Sequence, residues 1–213
     1  MKLVEMLVKG FVEETASSSP APGGGSVSAL MASLSAALGQ MVIRLTSSKK
    51  SFVELDSSIQ DEMKKTLSLL EKSQNTLISL IDEDTDAFND YMAALKLPKE
   101  TDDDKAKRRK AMSDALIVAM QVPLKTAQTA LLILKNLPII AKYGNKNAAS
   151  DIGVASLSAR AALEGAILNV KINLGGIDDK KIAEEKRNEC DCMLKEGEKL
   201  KTEILKEIYN KIG

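Results

Sequence analysis

Three groups of residues in this chain have types and spacings that suit chemistry. The first is Pro20–Ser26, which reads PAPGGGS. Successive glycines can take positive φ without steric penalty, so the N–H groups of Gly23, Gly24 and Gly25 can converge on one point. A helix capped by Ser26 would add its unpaired amides and positive dipole end, making an anion or carbonyl site. A tight loop in which glycines let two helices approach accounts for the same residues. The segment is no Walker loop, because no Gly-Lys-Ser/Thr follows. Nor is it a dinucleotide fingerprint, because no strand precedes it.

The second group is Ile81–Asn89, IDEDTDAFN. Asp82 and Asp86 are four residues apart and share a helix face beside the apolar seam of Leu77, Ile81 and Phe88, with Asp84 pointing elsewhere. Two like charges against an apolar seam raise at least one pKa unless a cation or ligand sits between them. A solvated acidic face has the same composition. The third group is Gly144–Leu174. Asn145, Ser150 and Asp151 gather at a helix start, and Asp151, Ala155, Ser158, Ala162, Gly165/Ala166, Asn169 and Asn173 follow at helical spacing. Small residues between polar ends admit a second helix or a flat ligand. Asn169 and Asn173 are costly to bury unpaired, and hydrogen bonding between helices would satisfy them. Arg160, inside an otherwise apolar helix, needs a counter-charge or a path to water.

Composition removes several chemistries. The chain has 213 residues and no His, so His-based zinc, haem and triad chemistry are excluded and acid–base work falls to Asp, Glu, Lys, Tyr or Cys. Cys190 and Cys192 lie on different sides of a helix and are too few for a disulfide framework or metal site. Thirty basic and thirty acidic residues cancel, so no global field recommends nucleic acid or an anionic membrane as partner. The basic run Lys105–Lys110 follows Asp102–Asp104 and reads as a charged loop and helix start. Val27–Ile43 is uncharged for 17 residues, yet its serines, glycine and glutamine suit a buried core helix better than a membrane span. The start of the chain is too charged for a signal peptide, which favours the cytoplasm.

The elements that must position these groups are all helical. Aromatics are 3% and the 44% apolar content is mostly Leu, Ile, Val, Ala and Met, a balance suited to helix-on-helix packing. The spacing predicts a short amphipathic helix over Lys2–Glu14, a loop over Ala16–Gly25, and a helix from Ser26 to about Thr46. A long helix follows, from about Phe52 to Leu95. The next runs from near Lys105 to about Asn136, kinked or split at Pro123. Pro138 opens a further short element, Ser150–Leu174 is apolar on nearly every side, and Asp179–Ile212 is a charged closing helix. The expected fold is all-α, a single domain over 1–213 formed as a bundle of about six helices.

These motifs, in this order, resemble the cyclodeaminase/cyclohydrolase family. That family comprises the C-terminal half of formiminotransferase–cyclodeaminase and stand-alone methenyltetrahydrofolate cyclohydrolases. The matching pieces are PAPGGGSVSALMASLSAALGQMV (20–42), DEDTDAF (82–88), QVPL (121–124), GNKNAASDIGVA (144–155) and AALEGAILNVKINL (161–174). One departure is Ala21, where the family pattern PTPGGGS carries Thr. The resemblance implies an all-α homodimer acting on a tetrahydrofolate that carries one carbon between N5 and N10, with no metal or redox cofactor. Two reactions fit: water addition to the methenyl carbon, opening to 10-formyltetrahydrofolate, and attack of N10 on a formimino carbon, releasing ammonia. A non-catalytic folate-binding dimer on the same scaffold is the reading from another class. The implied roles are Asp86 or Asp151 as acid–base group with Asp82 supporting, and Gly23, Gly24, Gly25 and Ser26 as backbone donors. Asn145, Ser150, Asn169 and Asn173 would orient the ring, and Lys49, Lys50 or Arg44 would meet the glutamate tail.

Overall fold

The computed structural model describes residues 2–213. Seven α-helices build it: α1 Val8–Thr15, α2 Gly24–Ser47, α3 Lys50–Val53, α4 Ser57–Leu95, α5 Asp102–Tyr143, α6 Ala149–Leu174 and α7 Lys180–Ile212. Six have eight or more residues, and there is no strand among the described residues. The all-α bundle expected from composition is the fold observed.

α2 is the axial element because its side chains are small. Ala29, Ala32, Ser35, Ala36 and Gly39 are buried, which lets α4, α5 and α6 close around it. A Cβ on Gly39 would sit 2.8 Å from Leu70 Cδ1, inside contact distance, so glycine sets the α2–α4 spacing there. Ser35 Oγ donates to Ala155 O at 2.7 Å, and Gly165 lies against Ser28 Oγ, pairing α2 with α6 in opposite directions. Gln40 Nε2 donates to Gln74 Oε1 at 2.6 Å, and Arg44 bridges to Glu71 at 2.8 Å, so α4 also runs antiparallel to α2. α5 runs parallel to α2 and α7 covers α5 and α6. The starts of α2 and α5 and the ends of α4 and α6 thus meet at one end of the bundle.

Four boundaries differ from the sequence reading. The first helix is a 3-10 turn at Leu3–Glu5 followed by α1. The long helix starts at Ser57 with Asp56 as its N-cap, and Lys50–Val53 is a separate turn before it. α2 starts at Gly24 with Gly23 as N-cap, so Ser26 lies in the first turn and does not cap it. α5 is one continuous helix through both Pro123 and Pro138, begun by a capping box between Thr101 and Asp104. The Asp102–Lys110 run is therefore the first turns of α5. Other expectations hold: Cys190 is buried and Cys192 exposed, and Arg160 meets Glu164 at 2.9 Å and Glu198 at 3.2 Å. α2 and α5 each have the length and composition to cross a membrane, but more than half of each such stretch is buried inside the bundle.

Candidate active site

Only the short α3 turn and its flanks separate α2 from α4, and the antiparallel reversal brings the Gly-rich start of α2 onto the last third of α4. There, Ser26 is fully buried. Its backbone N–H donates to Asp84 Oδ2 at 2.8 Å, so a side chain from another helix satisfies one of the orphan amides of α2. The Ser26 hydroxyl lies 2.8 Å from Ile81 O and 3.1 Å from Asp84 Oδ2. One hydroxyl proton serves two acceptors. When Asp84 is ionised the proton can point at the carboxylate, and when Asp84 is protonated it can turn fully to the carbonyl.

The glycines act by what they lack. A Cβ on Gly25 would stand 2.0 Å from Asp84 Oδ1 and 2.4 Å from Asp84 Cγ, so only glycine lets the carboxyl group dock here. Positive φ plays no part: Gly23 has φ −113°, and the one positive-φ glycine among the described residues is Gly213. The loop and α2 start with Asp84, Thr85, Phe88 and Tyr91 of α4, Ala119 of α5, and Asn169, Ile172 and Asn173 of α6 to enclose a cleft of about 320 Å³. Asp84 is the one charged side chain in that lining. Burial pushes its carboxyl group above the ordinary 3.8, against the opposing pull of the two Ser26 hydrogen bonds. It forms no ion pair among the described residues.

The two asparagines have structural partners as well as a place in the cleft. Asn169 Nδ2 donates back to Gly165 O at 2.9 Å and lies 3.2 Å from the Cβ position of Gly24. Asn173 Nδ2 donates to Ala119 O at 2.6 Å. That carbonyl is four residues before Pro123, which has no N–H to give it. The α6 asparagine thus supplies the hydrogen bond that the proline removes, and α5 stays continuous. Asn173→Ala should cost about 1 kcal/mol, the scale for losing one part-buried hydrogen bond. In a Pro123→Ala background, where the helix can bond its own carbonyl, the same change should cost less than half as much. Urea unfolding of the four proteins in a double-mutant cycle measures this; additive costs would remove the pairing.

The sequence-predicted residues divide into two sets at opposite ends of α2, which is roughly 36 Å long at 1.5 Å per residue. Gly23, Gly24, Gly25, Asn169 and Asn173 line the cleft, and Ser26 is buried behind them with its amide serving Asp84. At the far end Lys49 Nζ donates to Asn145 Oδ1 at 3.0 Å, and Asn145 N donates to Thr46 Oγ1 at 2.9 Å. Ser150 is exposed and Asp151 half-buried at the start of α6, on that same end. Lys50 and Arg44 belong there too, so no sequence-predicted cation for a glutamate tail reaches the cleft of its own chain.

The acidic helix needs a correction. Asp84, set aside on the sequence, faces the α2 start, whereas Asp86 is exposed and lines no part of the cleft. Asp82 accepts from Leu3 N–H at 2.7 Å, tying the N-terminal 3-10 turn to α4. The missed residue had a signal. Positions 77, 81, 84 and 88 follow i, i+4, i+7, i+11, so Asp84 sits on the apolar seam itself.

A helical cleft with a glycine-lined rim, one half-buried carboxylate and two amide side chains has the make-up of a small-molecule pocket between helices of a bundle. The chain belongs to the formiminotransferase-cyclodeaminase family, whose model matches residues 7–192. It is 38% identical to a methenyltetrahydrofolate cyclohydrolase of Methylorubrum extorquens over 97% of both chains. It is 38% identical to a chicken (Gallus gallus) formimidoyltransferase-cyclodeaminase over 86% of this chain but only 33% of that protein. Among solved structures, a formiminotetrahydrofolate cyclodeaminase from Thermotoga maritima superposes with a TM-score of 0.85 at 25% identity, covering 98% of each chain.

Proposed function

We propose that the protein is a methenyltetrahydrofolate cyclohydrolase working in the cytoplasm, with Asp84 as its acid–base and electrostatic group and no role for a metal or redox cofactor. The observation that carries this is the single unpaired carboxylate in an otherwise uncharged cleft. A 5,10-methenyl substrate is a monocation, and it supplies the one counter-charge that Asp84 lacks. Water adds to the methenyl carbon; as the C–O bond forms, Asp84 takes a water proton and the C=N π electrons move to nitrogen. The tetrahedral carbon then opens. Its hydroxyl proton leaves, the C–N5 bond breaks, and Asp84 returns its proton to N5. Phe88 and Tyr91 offer the aromatic faces against which a flat ring system packs, with Asn169 and Asn173 Oδ1 atoms available as acceptors.

Purified protein mixed with 5,10-methenyltetrahydrofolate should remove its near-ultraviolet absorbance faster than buffer does. Decay at the buffer rate overturns the cyclohydrolase reading. The likeness to the Thermotoga structure favours formiminotetrahydrofolate cyclodeaminase as the second reading, and ammonia release from the 5-formimino substrate distinguishes it.

We further propose that the working form is a homodimer joined through α2 and α6. Val27, Met31, Leu34, Leu38, Met41 and Leu45 repeat at alternating four- and three-residue steps, a heptad-like seam on which Leu34, Met41 and Leu45 are exposed and the other three half-buried. Beside it α6 exposes Val154 (53%), Leu157 (51%), Leu168 (64%) and Ile172 (76%). Two helices roughly 36 Å long and about 20 Å wide present on the order of 700 Å², close to one side of a standard interface. A twofold axis across the helices would lay the Asn145–Asp151 end of one copy over the cleft of the other, reuniting the two sets of residues. Leu157→Glu with Leu168→Glu should convert a species of twice the chain mass to the monomer in light scattering. A monomeric parent protein overturns the dimer.

A further inference from the structure

A second cleft, of about 570 Å³, adjoins the first and shares Tyr91 with it. Its chemistry is opposite: Lys105, Arg108 and Arg109 line it against one acid, Asp178. These cations stand on one face of α5, where Lys105, Arg108, Met112, Leu116 and then Ala119 recur at three- and four-residue steps. Ala119 is already part of the active-site cleft. The path from there to Arg108 and Arg109 is about 15 Å at 1.5 Å per residue. It runs over Met112 and Leu116, an apolar surface between the cleft that holds Asp84 and a cationic groove.

The cations are only partly engaged. Arg109 forms no ion pair and no hydrogen bond among the described residues, and Arg108 uses Nε on Leu95 O at 3.2 Å. Lys105 meets only Asp102, whose side chain is fully in solvent, at 2.9 Å. A planar guanidinium held open at the end of such a path is suited to a carboxylate, which it can bind with two parallel hydrogen bonds.

We propose that Lys105, Arg108 and Arg109 form the subsite for the anionic glutamyl tail of the substrate, with the p-aminobenzoyl stem lying on Met112 and Leu116. This rests on the folate reading of the cleft. It gives the basic run of α5 a purpose that the charged-helix-start reading does not. The tail's carboxylates point away from Asp84, so the cationic carbon and the anionic tail each meet an opposite charge.

The test is calorimetric binding of 5-formyltetrahydrofolate mono- and triglutamate to the full chain at low salt. Each exposed ion pair contributes at most about fivefold in affinity, so a triglutamate should bind roughly tenfold more tightly than the monoglutamate. Lys105→Gln with Arg109→Gln should shrink that gain to within about twofold, with the melting curve unchanged, since neither side chain is buried. Lys107→Gln with Lys110→Gln removes the same charge from other faces of α5 and should leave the gain intact. Equal affinity for both tail lengths in the parent protein overturns the subsite, as does an equal loss in both pairs of variants. A parent protein that binds neither ligand instead overturns the folate reading, and the subsite with it.

Discussion

Asp84→Asn should lower turnover of the methenyl substrate by on the order of 100- to 10,000-fold, the range for removing a positioned acid–base group. The replacement keeps the shape and an acceptor for the Ser26 amide, so the loss would report charge and proton transfer. The same change should leave the protein as stable as the parent, or more stable, at neutral pH. An acid raised above its ordinary 3.8 by burial binds more protons folded than unfolded between that value and its folded one. Stability therefore falls as pH rises through that window and stays lower above it. Asparagine never ionises and escapes that loss. Thermal melts at pH 4 and pH 7 check the sign: the parent's disadvantage relative to Asp84→Asn should be present at pH 7 and shrink at pH 4. A variant that melts well below the parent at pH 7 would mean that ionised Asp84 serves mainly to hold α2 to α4.

Gly25→Ala should cost turnover on a comparable scale through one methyl group. The added carbon would occupy the position of the Asp84 carboxyl, overlapping it at 2.0–2.6 Å from three of its atoms. The helix itself tolerates alanine better than glycine, so the peptide geometry gains while the carboxylate is displaced. A shift of about 1 Å in a reacting group is worth roughly 100-fold. The expected result is a folded helical protein, by circular dichroism, with kcat reduced about 100-fold. Near-parental kcat would mean that the docked position of Asp84 is not the working one.

The bundle was legible because its signals are long-range averages: few aromatics, many Ala and Leu, and long stretches of 3.6-residue period. Boundaries were less so where a partner from elsewhere decides them. Pro123 predicts a break on local grounds, yet Asn173, 50 residues later, supplies the hydrogen bond that the proline lacks. The glycine loop draws attention in the sequence for a property that the fold does not use. Its conformational freedom goes unused, and its missing side chains make room for Asp84. Among the aspartates, Asp82 and Asp86 stand out in the sequence because they share a face. Asp84 instead occupies an apolar-seam position on its helix, which marks a carboxylate that folding half-buries at a cost. The Lys105–Lys110 run reads as a solvated start, because only the fold sets one of its faces into a groove that adjoins the cleft at Tyr91.

The most direct measurement compares initial rates of 5,10-methenyltetrahydrofolate loss for the parent protein, Asp84→Asn and Asp86→Asn under one condition, each corrected for the buffer rate. The parent should exceed buffer clearly, Asp84→Asn should fall by at least ~100-fold, and Asp86→Asn, exposed outside the cleft, should stay within about threefold of the parent. A parental rate in Asp84→Asn, or the large loss appearing in Asp86→Asn instead, would contradict the assignment of the cleft's lone carboxylate as the reacting group.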